Sequence, residues 1–96
     1  MRIDLLLGAE IDSQEIYNAQ EDFCEGRGAV FLVELDRTLE LLRTHPEIAP
    51  LFHGKFRKKL MIKLPYCLLY RVHGDRIFVS AIASVYGDRD RLVAKL

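Results

Sequence analysis

The segment 54–86, GKFRKKLMIKLPYCLLYRVHGDRIFVSAIASVY, constrains this chain more than any other. Two β-compatible runs, 66–72 and 77–85, flank the tetrapeptide His73-Gly74-Asp75-Arg76. Gly and Asp tolerate the φ > 0 backbone that a tight turn demands, so the two runs read as a hairpin. A strand that carries Lys55, Arg57, Lys58, Lys59 and Lys63, with no acid among them, precedes that hairpin. The run 77–85 is almost wholly apolar or small, as expected of a central strand covered on both faces. The expectation is a three-stranded antiparallel meander, and whatever precedes it must cover it.

The preceding residues supply that cover. Residues 2–7 form a short apolar run ending at Gly8, which reads as a first strand. Asp12-Ser13-Gln14-Glu15 has the composition of a helix start, with Asp12 or Ser13 capping and Glu15 in the first turn, and Ile16, Ala19 and Phe23 follow at helical spacing beside Tyr17 and Cys24. Gly26 ends that helix and Gly28 reinforces the break. A second helix spans 29–44, with Leu32, Leu35, Leu39 and Leu42 in one stripe widened by Phe31 and Leu41. Pro46 and Pro50 end it and lead through a loop into the strands. After the meander, 87–91 leaves the sheet and Leu92, Val93 and Leu96 make an apolar tail suited to a last helical turn. The fold class is α+β, one domain over 1–96: a short N-terminal strand, an antiparallel helix pair, then a three-stranded antiparallel meander forming a small sheet covered by the helices.

No apolar run approaches the roughly 20 residues that span a bilayer, and Asp4 interrupts the N-terminus where a secretory signal would be apolar. Cys24 and Cys67 read as two buried free thiols in a reducing cytosol, a disulfide being the alternative, and the expected location is the cytoplasm. The formal net charge is zero but unevenly spread: −6 over 1–26, −1 over 27–52 and +7 over 53–96. Neutrality argues against indiscriminate grip on nucleic acid, while the asymmetry leaves room for a localised anionic target.

In an alternating strand Lys55, Arg57, Lys59 and Lys63 share a face with Met61, and Lys58 points the other way with Phe56, Leu60 and Ile62. Such a row is either a cationic ridge suited to phosphate or an edge strand kept from aggregating by lysines. Arg71 and Arg89 could join the ridge, or be held in salt bridges. Tyr86, beside Arg89 and Arg91, could ionise more easily among cations and serve in proton transfer; rim packing is its plainer use. His45, His53 and His73 have no metal-ligand spacing, and no motif calls for a cofactor.

Taken together, Arg57, Leu64-Pro65-Tyr66, Leu68-Leu69-Tyr70-Arg71-Val72, Gly74-Asp75 and Tyr86-Gly87-Asp88-Arg89-Asp90 resemble the RelE/ParE superfamily of type II toxin–antitoxin toxins over nearly all the chain. Tyr86 stands where many members have His, Arg91 where many have Pro, and Leu64 where Phe is common. The resemblance implies a growth-arresting toxin of the plasmid-stabilisation type, a cognate antitoxin, and a higher-order toxin–antitoxin complex. It implies one of two targets. RelE-like members cut mRNA on the ribosome, and the matching residues would be Lys55, Arg57, Lys59, Arg71, Tyr86 and Arg89. ParE-like members inhibit DNA gyrase by protein contact without chemistry. The neutral charge, the acidic first helix and the Arg-Asp close favour ParE, with Arg57, Lys58, Lys59, Arg71, Arg89 and Arg91 binding target or antitoxin. A non-toxic binding module of the same fold is a third reading.

Overall fold

The computed structural model describes residues 1–96 as a five-stranded mixed sheet with a helical hairpin on one face. In chain order the elements are β1 (Arg2–Leu5), α1 (Leu7–Phe23), α2 (Arg27–Thr44), β2 (Leu51–His53), β3 (Phe56–Leu60), β4 (Tyr66–His73), β5 (Arg76–Ser84) and α3 (Arg89–Ala94). The strands lie in the order β1-β5-β4-β3-β2, antiparallel throughout except that β1 runs parallel to β5.

The meander is therefore present but larger than three strands. One addition is β2, a short strand in the segment expected to be a loop. The same device makes both hairpins: Gly54 and Gly74 supply a positive φ, 56° and 61°, at the first central position of a two-residue turn. Asp75 keeps a negative φ, so glycine alone carries the turn. The other is β1, the expected first strand, which joins the sheet parallel to β5, pairing Ile3 to Ile77 and Leu5 to Val79. β1 covers only the first half of β5.

β5 is not covered alike on both faces. Its register against β4 shifts between Leu69, opposite Ala81, and Tyr70, opposite Val79, leaving Ser80 as a bulge. The extra residue turns Ile77, Val79 and Ile82 toward the helices, and Phe78 and Ala81 away. The main core joins Ile77, Val79 and Ile82 to Leu68 and Tyr70 of β4, Ala9 of α1, and Phe31, Leu35 and Leu42 of α2. Phe31 meets Tyr66 edge to face at 5.7 Å, and the buried Tyr70 hydroxyl donates to the Pro46 carbonyl at 2.8 Å.

Four local expectations are corrected. α1 begins at Leu7, so Gly8 lies inside it, and no side chain caps its N-terminus. Asp12, expected to cap, instead accepts the Ile82 amide at 3.0 Å, satisfying β5 backbone beyond the end of β1, and accepts Lys95 Nζ at 3.0 Å with its other oxygen. The α2 stripe is Phe31, Leu35 and Leu42 with the buried Glu34 and Thr38, while Leu32 is 42% exposed. Gly28 is not a helix break; it sits in the first turn of α2, and Gly26, with φ 93°, makes the reversal. A Cβ at Gly28 would stand 2.6 Å from the Tyr17 ring and 2.8 Å from Glu21 Cγ, so glycine lets the two helices close together. Gly28→Ala is expected to cost about 1–3 kcal/mol, as overpacked sites do, seen as a lower melting temperature by circular dichroism; an unchanged melt would mean that Tyr17 swings away freely.

Candidate docking face

Side chains alternate along a strand, and the packing fixes which way each points. Tyr66, Leu68, Tyr70 and Val72 face the helices. Cys67 and Leu69 face the opposite side, where α3 lays Leu92 over them and Ala81, with Phe52 of β2 packed alongside. Beyond α3 this second face is open. Register places Lys58 opposite Leu69, and Arg71 opposite Phe78, on this open side.

The cations there rest on rings. Lys58 Nζ lies 5.0 Å and Arg89 Cζ 4.6 Å from the Phe52 ring centre, and Arg71 Cζ lies 4.9 Å from that of Phe78. Such contacts hold a guanidinium or ammonium in place while leaving its hydrogen-bond donors free for a ligand. β3, β4 and β5 contain no Asp or Glu. The ion pairs are Arg2–Asp4, Arg37–Glu34, Arg43–Glu40, Lys63–Glu34 and Lys95–Asp12, so Lys58, Arg71 and Arg89 have no carboxylate partner. The Cys67 thiol beneath them is pushed up by burial, which outweighs the lowering effect of Lys58. It stays protonated and is no nucleophile; Cys24, expected to be buried as well, is exposed.

The expected ridge is thus split by the sheet. Arg57 and Lys59 do share a face with Met61, but it is the helix side. Arg57 Nη1 donates to the carbonyls of Ala49 at 2.7 Å and Glu47 at 3.3 Å, tying the loop before β2 to β3. Lys59 donates to the Leu60 carbonyl and lines a cleft with Glu34, Arg37 and Thr38. Lys63 lies outside β3, 3.9 Å from Glu34, and Lys55 is exposed in the turn. Arg71 and Arg89 cannot join Arg57, because they lie across the sheet from it. Arg91 lines a cleft of about 340 Å³ between α1, α3 and the end of β5, with Asp12, Glu15, Tyr66 and Lys95. Tyr86 is 84% exposed in the loop before α3. Burial raises the Tyr70 hydroxyl, against a lowering by the Ala49 backbone and Arg57, so it remains a neutral donor.

Two aromatic residues of this face escaped the sequence reading. Phe78 was derivable: counting back from the Gly74-Asp75 turn pairs His73 with Arg76, Val72 with Ile77 and Arg71 with Phe78. Phe52 was hidden because its strand has only three residues.

The arrangement defines an α+β protein with a helical hairpin on one face of its sheet and, on the other, cations without carboxylate partners, beside which Asp4 of β1 lies opposite Phe78. No protein-family model and no curated protein sequence matches the chain. Among solved structures it is similar to a chain of the chromosomal ParDE TA system from P. aeruginosa, with a TM-score of 0.67 and 17% identity over 88% of this chain and 95% of that one. At that identity the likeness is one of fold alone. No helix is long and apolar enough to cross a membrane.

Proposed function

We propose that this chain is the toxin of a type II toxin–antitoxin module, arresting growth by ParE-like contact with DNA gyrase and neutralised by a cognate antitoxin. The observation that carries the reading is the fold likeness to a chain of the ParDE system over 88% of the sequence. The side-chain arrangement supports docking rather than cleavage. Cutting RNA needs a proton acceptor and charge-stabilising donors around one phosphate. Arg57 and Lys59 lie across the sheet from Arg71, Arg57 is engaged by backbone carbonyls, and Arg71 and Arg89 each lie over a ring. Cations held over rings without a carboxylate partner suit recognition of an acidic protein surface.

The test is to induce the chain alone in a bacterial host, map 5′ ends of ribosome-bound mRNA and assay supercoiling by purified gyrase. Growth arrest with intact mRNA and inhibited supercoiling is expected. New ends within codons, lost on changing Arg57 or Tyr86, would replace the reading with a ribosome-dependent nuclease. Unimpaired growth would replace it with a non-toxic binding module.

A further inference from the structure

The acids of α1 and the unpaired cations of the open sheet face lie on opposite sides of the molecule. Between Arg2 and Arg27 there is no Lys or Arg. On α1 the residues Leu7, Ile11, Glu15, Asn18 and Asp22 follow one another at spacings of four, four, three and four, which puts them in one stripe. All five are exposed, Leu7 at 71% and Ile11 at 48%. Neither Glu15 nor Asp22 has a cationic partner. This stripe lies on the outer side of α1, with Glu15 at the rim of the cleft that Arg91 and Lys95 also line. Across the sheet lie Lys58, Arg71 and Arg89 on their rings.

From this juxtaposition we propose that the outer stripe of α1 docks on the open sheet face of a second copy, head to tail, and so occludes that face. Each part of the stripe has a counterpart: Glu15 and Asp22 for the unpaired cations, Leu7 and Ile11 for the half-buried Phe52 and Phe78. The dimensions agree, since a 17-residue helix is about 25 Å long and an eight-residue strand about 27 Å. Zero net charge leaves no long-range repulsion between copies. The interface is heterologous: each copy that uses its stripe still offers its open face. Assembly therefore grows into oligomers with concentration rather than stopping at a two-fold dimer. The association stands on charge and shape alone; that it would hold the chain's activity in check rests on the toxin reading above. A gyrase result therefore leaves it standing, and its own failure leaves that reading standing.

Sedimentation velocity on the isolated chain tests it. At about 20 mM NaCl the mean mass is expected to rise with concentration, and at about 500 mM NaCl the apparent Kd is expected to weaken at least about tenfold, because exposed ion pairs are screened. The variants Glu15→Lys/Asp22→Lys and Lys58→Glu/Arg71→Glu should each be monomeric alone and associate when mixed, since each supplies the charge the other has reversed. Where reversal unfolds the sheet variant, Lys58→Gln/Arg71→Gln should weaken association of the wild-type kind. A wild-type monomer at low salt would overturn the proposal. So would a mass that plateaus at a dimer, association indifferent to salt, or folded reversal variants that stay apart when mixed.

Discussion

Phe31→Ala is expected to remove about 3–5 kcal/mol of stability, the usual cost of truncating a fully buried aromatic residue. That approaches the whole stability of many domains of this size, about 5–15 kcal/mol. The ring is wholly enclosed, meets Tyr66 edge to face and lies in the core that joins α2 to β4 and β5. Rigid strands on one side and a second helix on the other leave little freedom for the cavity to collapse. Urea unfolding monitored by circular dichroism should show either a markedly lower midpoint or a chain already unfolded in buffer. Leu32→Ala is the control, and should change stability by no more than about 0.5 kcal/mol, since its side chain is largely in water. Equal losses at the two positions would mean that α2 is rotated by about one residue from the arrangement described.

That pair of substitutions also measures how far sequence periodicity reaches. Leucines at 32, 35, 39 and 42 satisfy a three–four spacing as well as Phe31, Leu35, Thr38 and Leu42 do, and hydropathy prefers the first set. The protein buries the second because Glu34 and Thr38 are satisfied where they stand. Glu34 is paired with Arg37 at 3.0 Å, and the Thr38 hydroxyl donates to the Glu34 carbonyl. Once satisfied, polar side chains can occupy a buried face that a hydropathy count would deny them. The hairpin at Gly74 was legible because turn geometry is local. β1 was legible as a strand, but not its parallel pairing with β5; β2 and the Ser80 bulge were not legible either, because these features depend on partners distant in sequence. Asp12 shows the same limit: its spacing to Glu15 mimics a helix cap, while its actual partner, the Ile82 amide, lies 70 residues away.

The site was half legible. Lysine and arginine enrichment in the meander announced a cationic surface, and strand parity separated Lys58 from Arg57 and Lys59. Grouping Arg71 with Arg57 was the error. Arg57 pairs with Tyr70, so Arg71, the next residue of β4, must point the other way. The register needed to see this follows from the length of the loop between β3 and β4. Residues 61–65 are an irregular segment, not a fixed two-residue turn, and no simple count crosses it.

Replacing the three open-face cations together, as Lys58→Ala/Arg71→Ala/Arg89→Ala, is expected to abolish growth arrest on induction. Each side chain is held over a ring without a carboxylate partner, so its charge is available to a ligand. Truncating contact residues of this kind costs binding about 1–2 kcal/mol apiece, and three together would weaken the complex with the target by about 100-fold or more. Lys55→Ala/Lys59→Ala should still arrest growth, because one residue lies in an exposed turn and the other on the helix side. Arg57 separates folding from function. Its guanidinium satisfies the Ala49 and Glu47 carbonyls, so Arg57→Ala should lower the melting temperature of the purified chain, and any loss of arrest should track that loss of fold. Arrest that persists in the folded triple variant, or vanishes in a folded Lys55→Ala/Lys59→Ala variant, would move the functional surface to the helix side of the sheet.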